Sequence, residues 1–297
     1  MTNWLKPRIS KIGLGCVTFG REIDQAASFA MMDHAVANGI TFFDTASAYS
    51  AGGSEKVVGA WLAARKPASD SVVIATKITK PYVAAEIEAR MDQSLARLGV
   101  QQVGLFYLHT WTDNAADPEI LAALDRIVRS GKAKTIGVSN FSAEQLEKVL
   151  AIQKERGWAR MQAVQNNQNY ALRLVDDKLK ALCVREDVAI VTYSPLGAGF
   201  LTGKYNNKVV PAGTRFDVIP GHQPLYFNDY GWARLAELEA ASKKSGLSQV
   251  DLAYAWVFQQ KEVDCVLVGG RNASQIDGAR QALKLDPAQV ARAFAGV

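Results

Sequence analysis

The chain is poor in the residues that metal and disulfide chemistry need. Its 297 residues include three cysteines (Cys16, Cys183, Cys265) and three histidines (His34, His109, His222). None of the six stands at metal-ligand spacing, so no metal centre is expected. Three separated thiols suit a reducing compartment, and the expected home is the cytoplasm. The triplets Asn140-Phe141-Ser142 and Asn272-Ala273-Ser274 then lose their meaning as glycosylation sites. No apolar run reaches the ~18 residues of a membrane span. The opening MTNWLKPRISK lacks the apolar stretch of a secretory signal, and none is expected. There is no G-x-S-x-G nucleophile turn. Net charge is +5, but acidic and basic residues are interspersed, without the basic stripe that nucleic acid requires. Such a surface fits a generic solvated protein, or one that holds an anionic cofactor.

What is present is a rhythm. Hydrophobic residues make up 48% of the chain, enough for a full core, and short β-rich runs alternate with amphipathic helical stretches. Strands are expected at Ile12–Gly15, Ile40–Thr45, 71–77, 103–109, 134–140, 160–166, 189–196 and 265–270. Helices are expected between them. One is capped by Asp24, with Phe29, Met32 and Val36 on its apolar face. Others run from about 54 to 64, 83 to 98, 143 to 156 and 173 to 186, with one opening at Pro118. Two helical segments follow at about 232–245 and 248–260, and a last one at about 273–284. Eight strand-helix units predict a (β/α)8 TIM barrel, one domain over residues 1–297. A Gly-, Pro- and Asn-rich excursion at 197–231 is too long for an ordinary connection and points to function.

In a barrel of this kind chemistry sits at the C-terminal strand ends. Those ends read Asp44 with Tyr49 beyond it, Lys77, His109, Ser139-Asn140, Gln165-Asn166, Tyr193-Ser194 and Gly269-Gly270-Arg271. A phenol is a poor acid at neutral pH, with a reference pKa near ~10. An ammonium about 4 Å away favours the phenolate by as much as ~4 kcal/mol at an effective dielectric of ~20. Lys77 is therefore expected to make Tyr49 more acidic, Asp44 to keep Lys77 charged, and His109 to hydrogen-bond a substrate oxygen or pass protons. Carbonyl reduction fits: hydride reaches carbon while a phenol protonates oxygen. Lys77 has a rival reading as a Schiff-base lysine of an aldolase-like enzyme. A Rossmann reading of "GAGFLTG" is disfavoured, because no amphipathic helix opens there. His34 and His222 read as structural.

The chain resembles the aldo-keto reductase superfamily. The motifs are "GLGCVTFG", "FFDTASAYSAGGSE", "VVIATK", "LFYLH", "IGVSNF", "AVQNNQNY", "YSPLGAGFLTGKY" and "VGGRNASQ", in order from residue 12 to about 285. The resemblance implies Tyr49 as general acid, Lys77 and Asp44 as its tuning pair and His109 as the group orienting the carbonyl. It implies that Ser139, Asn140 and Gln165 hold a nicotinamide carboxamide and that Tyr193 stacks on the ring. Ser194, Pro195, Leu196, Gly197, Gly199, Leu201 and Lys204 would cradle the pyrophosphate. Gly269 and Gly270 would also touch the cofactor, Arg271 would meet the adenosine 2′-phosphate, and Gln275 the adenosine. The implied cofactor is NADP(H), with NAD(H) as the alternative. Gly278 and Ala279 stand where the family often binds adenine with an acidic residue and an asparagine, with Asp277 one position off. Ser50 replaces a common glycine after the tyrosine.

The substrate is expected to be a small carbonyl compound or alcohol, walled by Phe19, Trp111 and the excursion, part of which is expected to fold over the cofactor. A non-catalytic cofactor-sensing subunit is the alternative from within the same family.

Overall fold

A computed structural model of the protein describes residues 2–68 and 71–297. Six parallel strands come first: β1 (Ile12–Gly15), β2 (Phe42–Asp44), β3 (Val73–Ile78), β4 (Val103–Leu108), β5 (Ala133–Ser139) and β6 (Met161–Asn169). A two-residue strand, β7 (Leu172–Arg173), folds back antiparallel on the end of β6. β8 (Ala189–Tyr193) and β9 (Cys265–Val268) complete the set, and β9 pairs with β1. The eight parallel strands thus close on themselves as a (β/α)8 barrel.

Helices α1 (Gln25–Ala37), α2 (Gly53–Arg65), α3 (Ala84–Leu98), α4 (Pro118–Arg129), α5 (Ala143–Arg156) and α6 (Asp177–Arg185) each follow a strand. Their starts are chemically marked. The Asp24 carboxylate accepts from the Ala27 N–H at 2.8 Å, and Ser142 and Gln145 form a reciprocal capping box. α3 buries Ile87, Met91, Leu95 and Leu98, the face its periodicity predicts. On α1 the buried face is instead Met31, Met32 and Ala35, and Val36 is exposed.

Two boundaries and one additional helix differ from expectation for reasons that are local. α6 begins at Asp177 rather than 173, because Leu172–Arg173 pairs with β6 and Asp176 caps the helix. The strand expected to run to Leu196 stops at Tyr193, because Ser194 turns with φ +56°. A final helix, α11 (Pro287–Phe294), was not anticipated, although Asp286-Pro287 is a sound N-terminal signal. In the barrel interior, inward residues such as Phe42, Val73, Leu105 and Tyr107 pack in layers, and Leu5 seals one end with no exposed surface.

The excursion holds its own small core. After Gly197–Thr202 it runs through α7 (Arg215–Val218) and a 3-10 turn, Pro220–Leu225, to reach α8 (Asp229–Ser245) and α9 (Gln249–Phe258). Phe200, Tyr205, Phe216, Tyr226, Phe227 and Trp232 pack together with ring centroids 4.8–6.5 Å apart. The segment is rich in Gly, Pro and Asn, but six rings organise it. Phe200 touches five of those rings and is fully buried. Phe200→Ala is expected to lower stability by about 3–5 kcal/mol. Urea unfolding followed by tryptophan fluorescence measures this, and a loss below about 1 kcal/mol would mean the ring cluster is not what holds the segment.

Candidate active site

The apolar runs of β2, β3 and β4 each deliver one ionisable residue to the same end of the barrel. Asp44 closes β2, Lys77 lies one residue from the end of β3, and His109 follows β4. Parallel register sets Asp44 beside Ala75 and Lys77 beside Tyr107. The Lys77 ammonium donates to Asp44 Oδ1, to the Thr45 carbonyl at 2.9 Å and to the Tyr49 hydroxyl at 3.3 Å. The Tyr49 and His109 rings meet edge to face, 5.8 Å apart. Gln165 Nε2 donates to the other Asp44 oxygen at 3.0 Å, so both carboxylate oxygens have partners.

Burial dominates the electrostatics. It would discharge Lys77, but Asp44 and Tyr49 outweigh it and hold the ammonium above its ordinary range. Burial also raises Asp44, against the pull of Lys77 and Gln165. Tyr49 departs from the sequence expectation. Lys77 does favour the phenolate, but desolvation is larger, and the phenol ends above its ordinary value. The tyrosine is therefore a loaded proton donor at rest. His109 is pushed down to about 3 by burial and by Lys77, so its imidazole is neutral. A proton-passing role through an imidazolium, one of the two expected for it, does not suit this environment.

These groups face a cavity of about 650 Å³. Asp44, Tyr49 and His109 line one end, with Ser139, Asn140, Gln165 and Tyr193 beside them. The polar side chains here are already engaged with one another. Tyr193 donates to Asn140 Oδ1 at 2.6 Å, Asn140 Nδ2 donates to the His109 carbonyl at 3.0 Å, and Ser139 Oγ to the Gln165 carbonyl at 2.8 Å. Ser194, Pro195, Leu196, Gly199 and Lys204 continue the wall. Gly269, Gly270, Arg271 and Gln275 close the far end. Burial and the neighbouring Arg271 both depress Lys204, so this end is short of negative charge. Backbone is bare there for a reason: a Cβ on Gly269 would lie 3.1 Å from the Gly15 carbonyl oxygen.

Several rim residues are strained. Ser50, Ala51, Asn140, Ser194 and Ala198 all hold positive φ. The left-handed conformation costs an L-residue about 1–2 kcal/mol. Asn140, Ser194 and Ala198 line the cavity and Ser50 and Ala51 follow Tyr49, and strain at such places is what a functional site shows when surrounding structure over-determines it.

Against known proteins, the Aldo/keto reductase family model matches residues 11–294. The chain belongs to the aldo/keto reductase family. It is an NAD(P)H-dependent oxidoreductase whose general activity is carbonyl reduction. Curated relatives include the oxidoreductase YrpG of Bacillus subtilis, 29% identical over 94% of this chain and 88% of its own length. Norsolorinic acid reductase B of Aspergillus parasiticus is 30% identical over 94% of this chain and 78% of its own. L-glyceraldehyde 3-phosphate reductase of Escherichia coli is 30% identical over 93% and 84%.

Not every family-matched position reaches the cavity of this reductase. Lys77 lies behind it, wholly buried. Gly197 and Leu201 pack into the excursion core, where a Cβ on Gly197 would meet the Tyr226 ring at 3.0 Å. Phe19, expected as a substrate wall, has no exposed surface and belongs to the main core. Trp111 is half-buried and leans edge-on against Phe141. Gln275 spends its side-chain oxygen on the Arg271 backbone N–H at 2.6 Å, fixing the turn before α10 (Ala273–Leu283). Asp277 is bound to His34 and Arg280, and Ala279 is buried, so neither is free for adenine. Ser50 does act on the turn, donating to the Gly20 carbonyl at 2.7 Å.

The structure adds residues that sequence reasoning passed over. Thr18 and Glu22 from the loop after β1 line the cavity, as do Thr214, Arg215 and His222 from the excursion. His222 therefore faces the site rather than the bulk of the fold. Arg215 reaches across to Glu22 at 2.7 Å, joining the excursion to the opposite wall. A lone acidic residue in one loop and a lone basic residue 193 positions on carry no local signal of that pairing. Among the described residues no group of three or more His, Cys, Asp or Glu side chains is placed to hold a metal ion.

Neutral His109 has a consequence for acid stability. Its folded pKa of about 3 lies below the unfolded value of 6.5. Between those values the unfolded state binds the extra proton, so stability falls as pH drops through this window. The loss expected at pH 4.5 relative to pH 7 is on the order of 2–3 kcal/mol. His109→Gln should remove that part of the acid sensitivity. Urea unfolding of both proteins at pH 7 and pH 4.5 measures it, and equal slopes would show that His109 does not titrate this way.

Proposed function

We propose that this protein reduces aldehydes or ketones to alcohols with NADPH, using Tyr49 as the general acid. The observation that carries the reading is the Lys77 ammonium seated between Asp44 and the Tyr49 hydroxyl, 3.3 Å from the latter, at the edge of the cavity. The cavity suits a dinucleotide. Its near end offers Ser139, Asn140, Gln165 and the Tyr193 ring for a nicotinamide; its far end offers Lys204, Arg271 and open backbone for phosphates. When bound, the cofactor supplies a hydride to the carbonyl carbon.

The chain's own residues handle the oxygen. The neutral His109 ring donates an N–H that orients the carbonyl. The Tyr49 phenol, kept protonated by burial, delivers its proton as negative charge grows on oxygen. A phenolate is left 3.3 Å from an ammonium that cannot move away, an attraction of about 5 kcal/mol at an effective dielectric of ~20. Asp44 keeps that ammonium charged and aimed. Solvent returns the proton to Tyr49 before the next turnover. In the sum, one carbonyl, one NADPH and one proton give one alcohol and NADP⁺.

Two relatives named as reductases, of norsolorinic acid and of L-glyceraldehyde 3-phosphate, support carbonyl reduction as the reaction type. A Schiff-base role for Lys77 is disfavoured, because a fully buried, ion-paired ammonium is no nucleophile. Three unpaired, buried cysteines agree with a cytoplasmic setting.

Tyr49→Phe is expected to lower kcat by about 10²–10⁴-fold with 4-nitrobenzaldehyde and NADPH, with cofactor affinity little changed. NADPH consumption at 340 nm and cofactor binding by fluorescence measure the two. Binding without turnover in the wild type as well would favour the sensor reading. Arg271→Ala is expected to weaken NADP⁺ about 10–100-fold while leaving NAD⁺ nearly unchanged. Titration calorimetry with both cofactors tests this, and equal losses would remove Arg271 from 2′-phosphate recognition.

A further inference from the structure

Tyr49 stands on an improbable piece of backbone. It opens the short turn Tyr49–Gly52, whose next three residues all hold positive φ: Ser50 at 52°, Ala51 at 50° and Gly52 at 86°. Three left-handed residues in succession do not hold that shape unaided. Something outside the turn must fix it, and the contacts beneath it show what does.

The side chain of Arg97, from α3, lies directly against Gly52. A Cβ on Gly52 would come within 2.7 Å of Arg97 Cδ and 2.8 Å of Nε. That Nε donates to Glu55 Oε2 at 2.5 Å, and the guanidinium also donates to Ser94 Oγ at 3.1 Å. Glu55, in the first turn of α2, is wholly buried. Its other oxygen accepts from Thr76 Oγ1 at 2.5 Å. Thr76 is the neighbour of Lys77 on β3, and adjacent strand residues point to opposite faces. Lys77 therefore points into the barrel while Thr76 points out to the helices. One ionic network behind the wall packs against the turn that carries Tyr49 and is hydrogen-bonded to the strand that carries Lys77. Neither Arg97 nor Glu55 lines the cavity.

We propose that Arg97 and Glu55 are a positioning pair, holding the left-handed turn so that the Tyr49 hydroxyl stays within reach of Lys77. This rests on Tyr49 being the general acid. The role differs from simple stabilisation in what it predicts: loosening the pair harms proton donation, not cofactor binding.

The test uses Arg97→Met combined with Glu55→Gln, which leaves no unpaired buried charge, and Arg97→Lys, which keeps the charge but not the flat fork against Gly52. Each is assayed with 4-nitrobenzaldehyde and NADPH across pH. The double variant is expected to lose at least tenfold in kcat, with the substrate KM and the NADPH Kd within about threefold. The alkaline limb of kcat should move, because the phenol's pKa is set by its burial and by its distance from the ammonium. Arg97→Lys should show the same displacement with a loss of about threefold to tenfold in kcat, and it is the variant read if the double does not melt cooperatively.

Unchanged kcat and an unmoved limb in a cooperatively folded variant would overturn the proposal. So would parallel losses in kcat and NADPH affinity. The single variant Tyr49→Phe separates this inference from its premise. Full turnover in Tyr49→Phe would overturn the acid assignment, and the positioning role with it. An inactive Tyr49→Phe beside a fully active Arg97→Met/Glu55→Gln would overturn the positioning role alone.

Discussion

Lys77 carries a positive charge into the barrel with none of its surface exposed. A buried charge of this kind is costly unless it is paired and hydrogen-bonded. Here it is both: Asp44, the Thr45 carbonyl and the Tyr49 hydroxyl surround it. Each partner is tied down in turn, Asp44 by Gln165 from β6 and Tyr49 by the turn before α2. Three segments distant in sequence, 44–49, Lys77 and Gln165, must arrive together for this ammonium to be tolerated. The geometry of the proposed site and the solvation of one lysine are thus the same requirement, and a chain that misplaced any partner would lose stability.

Around that pair the barrel divides its labour between rigid and adaptable parts. Strands deliver Asp44, Lys77 and Ser139 in registered parallel pairing, which leaves little freedom in their positions. The long excursion supplies the opposite wall and is held by its own aromatic core rather than by the barrel's. A charged tether across the cavity, Arg215 to Glu22, is a partly exposed pair, of the kind that contributes modestly and can open. Burial then sets protonation. Tyr49 stays a phenol and His109 a neutral ring, and both line the cavity.

Much of this was legible in the chain itself. Alternating strand and helix signals imposed a (β/α)8 barrel, and in such a barrel polar residues closing apolar strands must share one rim. Asp44, Tyr49, Lys77 and His109 could be gathered for that reason, before any coordinate was known. Other features carried no local mark. Phe19 looks like any loop aromatic, yet the fold buries it completely. His222 read as structural, because only the path of the excursion brings it to the cavity, and Glu22 in the loop after β1 carried no mark of the Arg215 it meets there.

What the sequence by itself determined is the period, the number of units and the identity of the groups at the strand ends, because these depend on residues near one another in the chain. Tertiary structure decided which way the tyrosine's acidity moves, since desolvation and a nearby ammonium act oppositely and only burial depth ranks them. It also decided that Arg97 meets Glu55 and Gly52 beneath the turn, because Glu55 and Arg97, 42 positions apart on consecutive helices, become neighbours only when β2, β3 and β4 have paired.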